Sequence, residues 1–290
     1  MNRETAILAT LVLYKICLIA IGLIYRKRTR DDIDFYLGGR KLGPLVSALS
    51  ASASSSSAWT LLGVSGAAYA WGLSALWLFP SCVGGFLLNW YILAPALHRE
   101  SRRSGALTVT EVLAEGTGPR LQKAISTAAS LIILVSLGAY VSSQFQGAGK
   151  AFSETFEVSL TASILIGAGI VVFYTLLGGF WAVSITDTLQ GLLMAATAVV
   201  LPIAALAAVG PADFLNALES IREPGYLNLM RHFAPVSAIG FILGLLGIGL
   251  GYPGQPHVVN RFMALDDREH SLAKARQYAL SWATLSLIHI

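Results

Sequence analysis

Long apolar runs constrain this chain more than any other feature of its sequence. Seven stretches of about 20 residues or more, and an eighth that is cut short at the last residue, carry almost no charge. They can be drawn at 5–25, 43–70, 73–97, 122–148, 158–178, 184–209, 234–258 and from 277 to the last residue. Charged residues make up 12% of the 290 residues, about half their share in a soluble domain. The sequence therefore predicts an all-α, multi-pass protein embedded in a lipid bilayer.

The basic residues fall mainly in alternate loops. The loops 26–41, 98–121 with Lys123, 179–183 and 259–276 hold 15 Lys and Arg, whereas the opposite side holds 4. The positive-inside rule then places the N-terminus outside and the basic loops in the cytoplasm. Because topology accounts for the net charge of +4, we expect no nucleic-acid partner. Cys17 and Cys82 have no disulfide or metal spacing, and we find no hydrolase or phosphate-loop motif, so we do not expect an enzyme.

Short loops leave no room for a soluble domain, so we expect one transmembrane domain over 1–290. Within it, residues 1–30 form an additional first helix and its basic loop. The longer loop 210–233 contains an amphipathic stretch from Phe214 to Ile221, which predicts a short helix lying in the membrane interface.

Two of the apolar runs contain residues that do not continue a helix. The second run carries six serines, at 50, 52 and 54–57, and the seventh carries four glycines and two prolines between 247 and 256. The two runs are five helices apart, and this odd spacing reverses the direction of the second copy. Paired broken helices in inverted halves indicate the central site of a secondary transporter. We assign the first repeat to 43–209 and the start of the second to 234–290, which predicts truncation in the eighth transmembrane helix.

Three motifs in this order resemble the sodium:solute symporter family, with its sodium/proline symporters nearest. They are the segment 34–40 with 42–44 (DFYLGGR and LGP), the segment 178–183 with Thr186, Asp187 and Gln190 (GGFWAV), and the segment 249–257 with Arg261 and Phe262 (GLGYPGQPH). The resemblance implies a leucine-transporter-like fold of two inverted five-helix repeats with one extra N-terminal helix. It also implies sodium-coupled uptake of a small amino acid, with proline the expected substrate, across the bacterial cytoplasmic (inner) membrane.

The resemblance also implies which residues form the site. Backbone carbonyls of Ala53 and Ser56 would bind Na⁺, with Ser54 and Ser55 as possible further ligands, and Asp187 and Arg40 would form a cation exit or gate. The residues expected to bind the substrate are Ser57, Trp59, Tyr140, Tyr252, Gln255 and Pro256.

Several alternatives stay open at this level. The serines could form a small-residue face for helix packing, and Asp187 could cap a helix together with Ser184. This chain has Ser55 where proline symporters carry an aspartate, and Ile248 where they carry a tryptophan. Proton coupling is therefore one functional alternative, and the sensory membrane domain of a signalling protein is another.

Overall fold

The computed structural model describes residues 3–286, and over these residues the chain is helical apart from turns and one isolated bridge between Leu42 and Leu265. The helices are α1 (Arg3–Arg26), α2 (Asp32–Leu37), α3 (Pro44–Ser55), α4 (Val64–Trp71), α5 (Leu78–Leu87), α6 (Ala94–Ser104), α7 (Val109–Ala114), α8 (Pro119–Phe156), α9 (Leu160–Val209), α10 (Pro211–Ser220), α11 (Pro235–Leu250), α12 (Pro256–Ala264) and α13 (Ser271–Ser286). Five of them begin on proline, whose fixed φ and missing N–H suit the first helical position.

Length and apolar composition give five membrane-span candidates among the described residues. They are Thr5–Arg26, Val64–Ser104, Pro119–Phe156, Leu160–Val209 and Pro235–Gly254, and the protein is accordingly a multi-pass membrane protein. The predicted count of eight differs for physical reasons. α3 ends at the serine break and is too short to qualify alone, while Leu160–Val209 contains two of the predicted runs. The predicted eighth run extends beyond residue 286, outside the described residues.

α9 is a helical hairpin rather than one rod. Gly179 has φ 57° and ψ −156°, a conformation that only glycine adopts readily, and it reverses the chain. Both arms then run along α1: Tyr174 on the first arm packs on Gly22, and Gln190 on the second donates to the Tyr14 hydroxyl at 2.6 Å. The predicted loop 179–183 is therefore a single-residue break, and the additional first helix supports both arms.

The two broken spans meet in opposite directions, as the inverted repeat requires. α3 leads away from Leu42, whereas α12 leads toward Leu265. The Leu42 N–H donates to the Ala264 carbonyl at 3.1 Å, and the Asp266 N–H donates to the Leu42 carbonyl at 2.9 Å. Around this junction lies the main apolar core, which includes Trp90 and Phe262.

The predicted interfacial stretch corresponds to α10, Pro211–Ser220. The segment after α10 folds back onto the corner just after α4, where the Leu73 N–H donates to the Tyr226 carbonyl at 2.8 Å. This corner and the junction at Leu42 lie at opposite ends of the same helix bundle.

Candidate functional site

The first broken span opens at the serine cluster. α3 ends at Ser55, and Ser56 is extended at φ −85° and ψ 140°. The hydroxyls of Ser55 and Ser56 donate to the Ser52 carbonyl at 2.7 and 3.3 Å, and the Ser56 N–H donates to the Ala53 carbonyl at 3.1 Å. A carbonyl oxygen has two lone pairs, so the Ala53 carbonyl retains one for a further donor or a cation, whereas the Ser52 carbonyl already accepts two hydrogen bonds.

Side chains cap the backbone where this span resumes. The Ser57 N–H donates to the Thr60 hydroxyl at 3.2 Å, and the Trp59 N–H donates to the Ser57 hydroxyl at 3.1 Å. The Ala58 N–H donates to the Gln144 side-chain oxygen of α8 at 2.7 Å. Sequence reasoning missed Gln144; its signal was an amide inside an apolar span, where polar groups are costly unless they have a partner.

The second broken span unwinds between α11 and α12. A single turn, Tyr252–Gly254, follows α11, and Gln255 is extended at φ −103° and ψ 90° before α12 begins at Pro256. The Tyr252 ring packs on Phe86 of α5 at 5.5 Å between ring centroids. The turn therefore faces α5 and the centre of the bundle.

A close helix crossing holds this turn in place. The Ser81 hydroxyl of α5 donates to the Leu245 carbonyl at 2.7 Å and accepts from the Gly249 N–H at 2.9 Å. A Cβ atom on Gly249 would lie 2.0 Å from the Ser81 carbonyl oxygen, so only glycine fits there. α5 and α11 therefore approach each other backbone to backbone beside the break.

A cavity of about 190 Å³ lies between the two breaks. Its lining residues are Ser55, Ser56, Ser57, Trp59, Thr60, Val64, Cys82, Phe86, Tyr140, Ile248, Tyr252, Gln255 and Trp282. Five of the six residues expected to bind substrate are among them, and the lining contains no Asp, Glu, Lys, Arg or His. A larger groove of about 520 Å³ between α5 and α11 is mostly apolar. Its polar side chains are those of Ser81, whose hydroxyl is already bonded, and Tyr91, so the smaller and more polar cavity is the candidate site.

Gln255 gives this cavity an available acceptor. Its side-chain oxygen is buried and has no hydrogen-bond partner among the described residues. A buried acceptor without a partner is costly, so such a group marks a position where a ligand donor or a water binds. Pro256, the sixth expected substrate residue, is not in the cavity lining; it begins α12.

Ser54 lies on the other side of the break, where it meets Asp187. The hydroxyls of Ser50 and Ser54 both donate to Asp187 Oδ2 at 2.9 Å, and Arg261 Nη2 donates to the same oxygen at 2.7 Å. The Arg261 and Asp187 side chains are 6% and 16% exposed. The helix-capping interpretation of Asp187 is wrong, because Asp187 lies two turns into the second arm of α9 and the Ser184 hydroxyl has no partner among the described residues.

Arg261 was noted in the sequence as part of a motif but not as a site residue. Its Nε donates to the Ser50 hydroxyl at 3.0 Å, Nη1 donates to the His257 carbonyl, and the guanidinium lies 5.1 Å from the Phe180 ring centroid. Its own carbonyl accepts from the Ser47 hydroxyl at 2.8 Å. Arg261 therefore connects α3, α9 and α12 in one buried polar network.

The serines serve two surfaces at once. Ser47, Ser50 and Ser54 share one face of α3 at helical spacing and meet α12 and Asp187, whereas Ser55, Ser56 and Ser57 face the cavity. Packing by small residues and a polar site are thus both present, on different faces of the same segment.

The bundle end that carries the basic loops is closed by a further layer. Arg40 donates to the Ser101 hydroxyl at 3.1 Å and to the Ala106 carbonyl at 2.7 Å, and Arg102 pairs with Asp267 at 3.0 Å. Burial lowers the pKa of the Arg40 guanidinium, with Arg102 lowering it further and Asp267 raising it, yet arginine stays charged. Arg40 thus bonds to α6 and the loop after it, rather than to Asp187.

The sodium:solute symporter family model matches residues 35–290. The chain is 36% identical over 97% of its length to the osmoregulated proline transporter OpuE of Bacillus subtilis, and 35% identical over 99% to the sodium/proline symporter of Escherichia coli. It spans 56% of the length of each of these relatives.

The fold matches that of a solved Na⁺-coupled sialic acid symporter in a substrate-bound, outward-open state. The TM-score is 0.76 at 19% identity, over 97% of this chain and 58% of the other. The expected all-helical symporter fold is confirmed by this match and by the opposed broken spans.

Proposed function

The chain belongs to the sodium:solute symporter family, and from this premise we propose that the intact protein imports a small zwitterionic amino acid, namely proline, together with Na⁺. The observation that carries the proposal is the cavity between the two broken spans, lined by five residues expected to bind substrate. A volume of about 190 Å³ lies below the usual range of drug-sized sites, which favours a small solute. The two proline-transporting relatives support the same substrate class.

The chemistry of the lining suits a zwitterion. With no charged side chain in the wall, a solute of zero net charge enters without an unpaired ion being buried. The unpartnered oxygen of Gln255 is an acceptor for the amino group, and Tyr252 and Ser57 offer hydroxyls. Trp59, Tyr140 and Ile248 supply apolar surface for the ring.

We place sodium on the serine side of the cavity. The carbonyls of Ala53 and Ser56 are the proposed ligands, with Ser55 and Ser54 as neutral oxygens nearby, because a hard cation favours oxygen donors. Ser54 also reaches Asp187, which lies farther toward the basic end. Sodium leaving the break would therefore pass Asp187 before it reaches the loop at Arg40.

The transport cycle follows from the closure described above. In this conformation the basic end is shut by the Arg261 network, the bridge at Leu42 and the contacts of Arg40. Sodium and solute would bind from the opposite end, and rocking of the two broken spans would then open the basic end. By the positive-inside count this end is cytoplasmic, with the N-terminus outside, in the inner membrane of a bacterium.

Uptake by the intact protein in proteoliposomes tests the proposal. We expect radiolabelled proline to accumulate under an inward sodium gradient, and unlabelled proline to compete better than other amino acids, pantothenate or sugars. Proline accumulation that does not depend on sodium and is lost when the pH gradient is removed would instead establish proton coupling. Proline binding without accumulation under either gradient would favour the sensory role. The matched variant is Tyr252→Phe, which keeps the ring packed on Phe86 but removes the hydroxyl that we propose is offered to the solute.

A further inference from the structure

The polar network beneath the cavity has the composition of a cation site that is filled by a side chain. Ser50, Ser54 and Asp187 direct three oxygens toward one region, with both hydroxyls 2.9 Å from Asp187 Oδ2. One carboxylate and neighbouring hydroxyls are the donor types that a hard cation binds. The positive group held there is the guanidinium of Arg261, 2.7 Å from the carboxylate and 3.0 Å from the Ser50 hydroxyl.

Arg261 also closes the protein. Its side chain joins α12 to α9 through Asp187 and to α3 through Ser50, and its carbonyl accepts the Ser47 hydroxyl at 2.8 Å. Four residues farther along, Leu265 pairs with Leu42. Moving the guanidinium away from Asp187 removes the central link of this row of contacts between the two broken spans.

The position of the network adds a constraint. Along α12, His257 stacks on the cavity residue Tyr140 at 5.5 Å, Arg261 lies one turn farther, and the bridge at Leu265 lies another turn beyond. An ion that moves from the cavity to the basic end along α12 reaches the Arg261 layer before the final bridge. Because Asp187 Oδ2 already accepts from Ser50, Ser54 and Arg261, an ion that binds this oxygen must replace one of these donors.

We propose that Arg261 is an internal substitute cation: its guanidinium holds the oxygens of Ser50, Ser54 and Asp187 while the basic end is closed, and the departing sodium ion displaces it. This extends the proposed sodium-coupled function and rests on it for the identity of the ion. Occupation of the network by sodium and closure by Arg261 then exclude each other. The exchange links ion exit to the separation of α12 from α3, and it needs no charged residue besides Arg261 and Asp187.

The test compares Arg261→Gln with Arg261→Lys in the intact protein. Gln removes the charge, whereas Lys keeps it. The first measurement is alkylation of Cys82, which lines the cavity, by a membrane-impermeant maleimide applied from the basic side, with every other cysteine replaced by serine. We expect Gln to raise the labelling rate at least about tenfold, and Lys to raise it by less than about threefold. Asp187→Asn should raise the labelling rate as much as Arg261→Gln does. The double variant should raise it no further, because both changes break the same link between Arg261 and Asp187.

The second measurement is stabilisation of the purified protein by Na⁺, read as the sodium concentration that gives half the maximal shift in Tm. Arg261→Gln should lower this concentration about tenfold relative to the wild type, because Asp187 becomes available. Adding Asp187→Asn should abolish the gain. Labelling at the wild-type rate in Arg261→Gln, additive effects in the double variant, or an unchanged half-saturating concentration would each overturn the proposal.

Two controls separate these outcomes from misfolding. One is labelling of Cys82 from the opposite side, and the other is a single peak when each variant is eluted from a size-exclusion column. The outcomes are also separable from the proposed function. If proline uptake is absent but Arg261→Gln opens the basic end, closure by Arg261 is supported and the proposed transport of proline is wrong. If uptake is sodium-driven but Arg261→Gln stays closed and unchanged in sodium affinity, transport stands and the exchange is wrong.

Discussion

Replacing Gly249 by alanine should damage the protein far more than the same change two residues earlier. A Cβ on Gly249 would lie 2.0 Å from the Ser81 carbonyl oxygen, whereas a Cβ on Gly247 meets nothing within 4 Å. To restore ordinary contact at about 3.4 Å, α5 and α11 must separate by about 1.4 Å at this point. The hydrogen bonds of the Ser81 hydroxyl, 2.7 Å to Leu245 and 2.9 Å to Gly249, would then be lost.

The expected cost combines two effects. Overpacking a close contact costs roughly 1–3 kcal/mol, and each lost hydrogen bond costs about 1 kcal/mol. Gly249→Ala should therefore destabilise the fold by about 3–5 kcal/mol, which lowers Tm by roughly 6–20 °C on the scale of a domain of 150–250 residues. Because α5 carries Cys82 and Phe86 of the cavity wall, solute affinity should fall as well.

Thermal unfolding of the purified intact protein, followed by size-exclusion fluorescence, measures this effect. Gly247→Ala is the matched control; it removes a helical glycine without a clash, so its Tm should stay equal or rise. Equal Tm values for the two variants would refute the claim that the crossing at Gly249 holds the second break in place.

Three further changes probe the site and the hairpin. Ser55→Asp adds a carboxylate at the first break and should lower the half-saturating sodium concentration for uptake about tenfold; a higher value would argue against a cation at this break. Ile248→Trp adds an indole to the cavity wall, so the inhibitory potency of bulky competitors should fall at least about tenfold, and that of proline by less. An equal fall for all competitors would mean that Ile248 does not determine selectivity. Gly179→Ala, with φ 57° at the hairpin turn, should cost roughly 1–3 kcal/mol in a Tm assay, whereas Gly169→Ala, with open space around it, should not.

The positions of the breaks could be read from the sequence because they depend on local chemistry. Serines that compete for backbone hydrogen bonds and glycines next to prolines disfavour a continuous helix through their own local chemistry, and the structure unwinds at Ser56 and at Tyr252. The hairpin at Gly179 was only partly foreseen. The sequence predicts a loop over 179–183, yet one glycine with positive φ is sufficient to reverse the chain.

The contacts between distant helices could not be read in the same way. Asp187 and Arg261 lie 74 positions apart, and which faces of α9 and α12 meet depends on the packing of all the helices together. The same holds for Gln144, which caps Ala58 from 86 positions away. Hydrophobic periodicity is weak in helices that are apolar all round, so it does not identify the inward face.

Protection of Cys82 by solute tests the central claim most directly, since Cys82 lines the cavity between the two breaks and is 4% exposed. In the intact protein with Cys82 as its only cysteine, alkylation by a maleimide is measured with and without proline, in sodium and in choline buffers. We expect proline to slow alkylation at least about tenfold in sodium and by less than about twofold in choline. Alkylation that proceeds at one rate under all four conditions, in a protein that still accumulates proline, would contradict a sodium-dependent site in this cavity.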